Sequence, residues 1–105
     1  MPFEYHAEMK NGEVRIKLQG EMSYDELRNT AQEMRKCADD HPKAIVMDLS
    51  GVTYLGEDGM ALLLNMYWAA SNRGIPIYAE GAKGKVAERM HRAGFDRVLQ
   101  PPGGV

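Results

Sequence analysis

Between Lys43 and Val52 the chain reads KAIVMDLSGV, and its apolar residues run together instead of alternating. A strand with one wet face alternates with period two. A continuous run suits a central strand covered on at least one face. Such a strand needs neighbours in a sheet and helices laid against it, and the flanking sequence offers both.

Upstream, FEYHAEM alternates, with Phe3, Tyr5, Ala7 and Met9 on one side. Asn11-Gly12 follows, a strong tight-turn signal. VRIKLQG then alternates again, with Val14, Ile16 and Leu18 together. The two runs predict a hairpin. In SYDELRNTAQEMRKCA, Ser23 and Glu26 form a capping box. Leu27, Ala31, Met34 and Ala38 make one helical stripe, and Arg28, Gln32, Arg35 and Lys36 lie off it. Pro42 disfavours helix at His41, so DDHP ends this element.

Downstream, GMALLLNMYWAASNRG predicts a second helix with Gly74 as its stop. IPIYAEG predicts a short strand, and Pro76 points to an edge position or a bulge. KGKVAERMHRAG predicts a third helix with Val86, Met90 and Ala93 as its stripe and Gly94 as its stop. FDRVLQ reads as a last strand and PPGGV as a frayed tail. The expected order is ββαβαβαβ, with residues 1–100 as one domain and 101–105 as a flexible tail. After the hairpin, strands and helices alternate, which implies parallel crossovers and a mixed sheet.

At 105 residues the chain fits one small domain with a real core. A net charge of −2 gives no electrostatic case for a nucleic-acid partner. No apolar run reaches the ~18 residues of a membrane span, and the charged, alternating N-terminus does not read as a signal peptide. With Cys37 as the one cysteine an internal disulfide is impossible, and the count suits a reducing cytoplasm.

Catalytic chemistry finds little support. His6, His41 and His91 fall in a strand, a loop and a helix without metal-ligand spacing. Cys37, near the first helix's apolar stripe, reads as a packed thiol. There is no GxSxG elbow. AEGAKGKV at 79–86 superficially suggests a phosphate loop. A Walker A motif needs Gly at the position of Ala79 and Ser or Thr at the position of Val86, so it fails. Its amides, with Lys83, Lys85 and Arg89, remain weak anion-binding candidates. No metal or cofactor is expected.

The second helix carries more information. Met60, Leu63, Leu64, Tyr67 and Ala70 make an apolar face, which Leu62, Met66 and Ala69 widen. Ala61, Asn65, Trp68 and Asn72 form the remaining strip, and Asp58 leads into it. Trp68 is either a contact anchor or a ring folded onto a neighbouring helix. Asp58, before Gly59, stands at the natural N-cap place, where an acid suits the positive helix end.

VMDLSGVTYLGEDGMALLLNMYWAASNRGIPIYAEG resembles the core of the STAS domain, the fold of bacterial anti-sigma factor antagonists. Asp48, Leu49, Ser50, Gly51 and Val52 match the family's strand end. Tyr54 and Leu55 match the pair before the turn, and Gly59 and Met60 match the helix start. The flanking hairpin, amphipathic helix and C-terminal VAERMHRAGFDRVLQ extend the likeness over nearly the whole chain. The resemblance implies a mixed four- to five-stranded sheet with helices packed mainly on one face. It implies partner binding, not catalysis: binding to an anti-sigma factor of the Ser/Thr-kinase type, or to a phosphatase. It places Gly56, Glu57, Asp58, Gly59, Ala61, Asn65 and Trp68 at the interface. In the antagonists, the Ser before the motif Gly is phosphorylated and the phosphate blocks binding. Here Asp58 holds that position, and Gly56 replaces the motif Asp. The loop thus imitates the modified state permanently. The rival expectation is a STAS-type scaffold subunit docked on the ATPase of a phospholipid or anion transport complex.

Overall fold

The computed structural model of the protein describes residues 2–23 and 27–95. Their elements run β1 (Glu4–Lys10), β2 (Glu13–Met22), α1 (Leu27–Asp39), β3 (Ala44–Leu55), α2 (Glu57–Ser71), β4 (Ile77–Glu80) and α3 (Gly84–Arg92). The sheet has four strands in the order β1-β2-β3-β4. The expected strand over FDRVLQ lies outside the described residues except for Phe95, and so does the tail. The Ser23–Glu26 capping box is likewise outside them on its Glu26 side.

β1 and β2 pair antiparallel through a turn at Asn11-Gly12, where both residues take positive φ (54° and 84°). That is the tight hairpin turn the dipeptide favours. β2 pairs β3, and β3 pairs β4, in parallel. The sheet is therefore mixed, with β3 inside it and β4 on the edge. Pro76 sits just before β4, where it costs no ladder hydrogen bond, and its carbonyl accepts from the Ile45 amide at 2.9 Å.

Alternation on β2 buries Val14, Ile16, Leu18 and Met22, which join Ile45, Met47 and Leu49 of β3 and Ile77 and Ala79 of β4 in one core. Against this face pack Ala31, Met34 and Ala38 of α1, Leu62, Leu63, Met66 and Ala70 of α2, and Val86 and Met90 of α3. The helices thus cover one face. The other face explains why the β3 run does not alternate. Val46 is in register with Arg15 and Tyr78, and Arg15 forms an ion pair with Glu80. Val46 is buried between these two cross-strand neighbours, Arg15 and Tyr78, and stands outside the main core cluster. β1 is the wettest strand: Phe3, Tyr5 and Ala7 are half-buried, while Met9 is exposed. The Tyr5 hydroxyl donates to Glu33 of α1 at 2.8 Å, tying the hairpin to the helix layer. Burial first, then that hydrogen bond and the charge of Glu33, push the Tyr5 phenol up to about 12.

α2 ends as a Schellman turn around Gly74. The Gly74 amide donates to Ser71 O at 3.0 Å and the Ile75 amide to Ala70 O at 2.9 Å, with Ile75 buried beneath.

Candidate functional site

The carboxyl end of β3 hands over to α2 within one residue. Gly56 is the N-cap, in extended conformation. Its amide donates to Met22 O at 3.0 Å and its carbonyl accepts from the Met60 amide at 2.9 Å. Glu57 and Asp58 are the first two helical residues, and no side chain caps the helix. This corrects the expectation that Asp58 is the N-cap. The helix starts two residues earlier than its apolar pattern suggests, because Gly56 takes the cap through backbone bonds alone. Asp58 keeps the favourable dipole position of a first-turn acid without the capping hydrogen bond. Both acids are exposed, and among the described residues neither engages an ion pair or side-chain hydrogen bond.

Gly59 explains why the turn can sit so low. A Cβ there would lie 2.4 Å from Met22 O, 2.5 Å from Met22 Cβ and 2.9 Å from Leu55 Cδ1. The first turn of α2 is pressed onto the ends of β2 and β3, and only hydrogen fits between. Gly56 and Gly59 are both buried. They shape the turn and present no side-chain surface.

Along α2, Glu57, Asp58, Ala61 and Trp68 are exposed and Asn65 is half-buried. The strip read from the sequence therefore exists on the surface. The helix buries Leu62, Leu63, Met66, Ala69 and Ala70, and leaves Met60, Leu64 and Tyr67 partly covered. The buried stripe is thus turned toward the residues expected only to widen it. Trp68 is 54 % exposed. It borders α1 without being folded away: Asn65, Trp68 and Asn72 face Gln32, Arg35 and Lys36 across a polar groove of about 480 Å³. At one end Arg73 donates to Asp39 at 2.7 Å and to Ala69 O at 2.8 Å. The α1 side of this groove was missed in the sequence. The signal was available in the off-stripe positions of α1, but only the packing of α1 on α2 joins them to Trp68.

Asp48, at the centre of the strand motif, accepts the Ser50 amide on Oδ1 at 2.9 Å. Burial works to raise its pKa, but the Ser50 backbone and side-chain hydrogen bonds and the charges of Lys17 and Arg15 outweigh it, so the carboxyl sits below its ordinary value. This aspartate shapes the strand end. Cys37 is half-buried at the fringe of the core, and burial, then Asp40, push its thiol up, which suits packing rather than nucleophilic attack. Among the described residues no three His, Cys, Asp or Glu side chains gather as metal ligands, and no helix is long and apolar enough to cross a membrane. Lys85 and Arg89 line a cavity beside the end of β3, and Lys83, the N-cap of α3, does not.

A solved anti-sigma factor antagonist from Mycobacterium paratuberculosis is similar, at 25 % identity and a TM-score of 0.77, over 96 % of this chain and 86 % of that one. The antagonist SpoIIAA in its unphosphorylated form shares the fold at 13 % identity and a TM-score of 0.79, over 93 % and 87 % of the two chains. A sulfate transporter family protein from Wolinella succinogenes shares it at 18 % identity and a TM-score of 0.71, over 87 % and 74 %. No curated protein matches the sequence. The family model described as "Mlab, STAS domain" matches residues 5–101. With that span, the four-stranded mixed sheet and helices on one face, the chain belongs to the STAS domain family.

Proposed function

We propose that this STAS domain is a non-catalytic regulatory module of the anti-sigma antagonist kind. It binds a protein partner through Glu57, Asp58, Ala61, Asn65 and Trp68, with Gly56 and Gly59 setting the turn. The partner is an anti-sigma factor of the Ser/Thr-kinase type, or a related phosphatase, met in the cytoplasm. No cofactor takes part. The observation that carries this reading is the surface of α2. Two acids without partners among the described residues stand at its positive end, and a half-exposed Trp stands on the same side. Trp is enriched among the residues that carry most of the binding energy of protein interfaces. Asp58 holds the phosphoacceptor position as a permanent phospho-mimic. It supplies about one negative charge, where phosphoserine supplies ~1.5–2 and three acceptor oxygens. Its partner therefore selects the acidic turn, with no modification step.

A second reading is favoured by the Mlab description of the matching family model and by the same fold in a sulfate transporter family protein. In it the domain is a fixed scaffold docked on the ATPase of a phospholipid or anion transport complex.

Quantitative affinity capture from native lysate tests both. The baits are the whole chain and its Glu57→Lys/Asp58→Lys variant. The expected result is a protein retained by the first bait and lost by the second. If that protein is a kinase-type anti-sigma factor or phosphatase, the first reading holds, and if it is a transport ATPase, the second does. Identical captured sets would sink the role of the acidic turn.

A further inference from the structure

The exposed cations of α3 fall on one flank. Lys85, Arg89 and Arg92 are spaced i, i+4 and i+7, while Val86 and Met90 on the other flank are buried. Opposite them stand Thr53 and Tyr54 at the end of β3, both exposed. Between lies an open cavity of about 350 Å³, within the range of small-molecule sites. Its lining is chemically mixed. Leu55 and Val86 are apolar, the Tyr54 side chain is 55 % exposed, and Thr53 adds a hydroxyl. Among the described residues none of the three cations has an ion pair, and Glu88 is the one carboxylate that lines the cavity. Three cations against one acid make a net charge of +2 on a chain whose net charge is −2. Like charges at helical i, i+4 spacing repel, and a bound anion relieves that repulsion.

We infer that this cavity binds a small organic dianion, a phosphate monoester carried on an aromatic or apolar body. Arg89 and Arg92 offer planar guanidinium donors suited to phosphate oxygens, and Lys85 adds a compact third charge. The body of the ligand rests against Tyr54, Leu55 and Val86. The site uses the flank of α3 and not its N-terminal amides, so Lys83 has no part in it. It is also separate from the acidic turn, although the two are neighbours. Tyr54 Cε2 lies 3.2 Å from where a Cβ on Gly56 would be.

The test is an amide NMR titration of the whole chain with phenyl phosphate, with benzyl alcohol as the neutral probe of the same ring. Phenyl phosphate should give saturable shifts centred on Thr53–Leu55 and Lys85–Arg92, and benzyl alcohol should not. The Arg89→Ala/Arg92→Ala variant should weaken binding by about tenfold or more, as loss of charge-assisted hydrogen bonds implies. Glu88→Gln, which keeps both arginines, should bind more tightly. Shifts that do not saturate, or that spread equally over Arg35 and Lys36, overturn the site. So does benzyl alcohol binding as well as phenyl phosphate, full affinity in the double variant, or unchanged affinity in Glu88→Gln.

Discussion

Two strand-to-helix junctions follow the parallel strands β3 and β4, and their sequences share one spacing. Gly56-Glu57-Asp58-Gly59 joins β3 to α2, and Gly81-Ala82-Lys83-Gly84 leads from β4 into α3. In the first, the helix begins directly after the first glycine. In the second, it begins at the last. The glycines also serve different needs. Gly59 is required for room, since a Cβ would strike the Met22 carbonyl. Gly84 has nothing within 4 Å of that position, but its φ is +59°. One junction is pressed against the sheet and carries two acids. The other is packed at its first glycine, Gly81, stands open at its last, Gly84, and leads into a basic flank. The closing glycine of the same spelling therefore serves close packing at Gly59 and a backbone angle at Gly84.

The widest separation between the junctions should appear in stability. Gly59→Ala forces a methyl into backbone and should cost about 3 kcal/mol or more. Gly84→Ala meets open space and should cost only about 1–2 kcal/mol for its left-handed conformation. Urea unfolding of both variants checks this, and equal losses would break the distinction between room and angle. Next in size is Trp68→Ala, on the exposed side of the helix that the first junction starts. Affinity for the captured partner should fall by about tenfold or more, while stability changes by less than ~1 kcal/mol, because the ring is half exposed. A large drop in melting temperature with unchanged affinity would assign Trp68 to the core instead.

Acid sensitivity should belong to the second junction. A Cβ on Gly81 would lie 2.8 Å from Asp48 Oδ1, so that carboxylate is packed against the turn. Asp48 has a lowered folded pKa, so its contribution is present above its ordinary value near 3.8 and is lost as pH falls through the lower folded value. Asp48→Asn should flatten the acid limb of a stability–pH curve, and an unchanged limb would remove Asp48 from it. Asp58→Ser is the smallest expected effect. With no capping hydrogen bond to lose, only the interaction with the helix dipole goes, about 0.3–1 kcal/mol at low salt. A loss well above that, by thermal unfolding, would show that Asp58 does more for the turn than the dipole accounts for.

Much of the fold was legible because its signals are local. Asn11-Gly12 names its own turn, β2 alternates, and Ala31, Met34 and Ala38 recur at helical spacing. The candidate site was legible in part. Ala61, Asn65 and Trp68 read as a surface strip because the rest of α2 is apolar. Its cap did not. The pattern pointed to Asp58, whereas the cap is Gly56, held by a bond to Met22, thirty-four positions away. The α1 side of the Trp68 groove was hidden for the same reason, as was the cavity that Lys85 and Arg89 share with Tyr54.

The sequence by itself determined the elements from β1 to α3, their order and the apolar stripes that build their core. Periodicity and turn chemistry act within a few residues, so they can be read along the chain. The tertiary structure alone decided which glycine needs room and which needs an angle, where α2 begins, and which charged side chains share a cavity. Those outcomes depend on how closely β2, β3 and the helices approach, and separations of a few ångströms between distant segments leave no local trace.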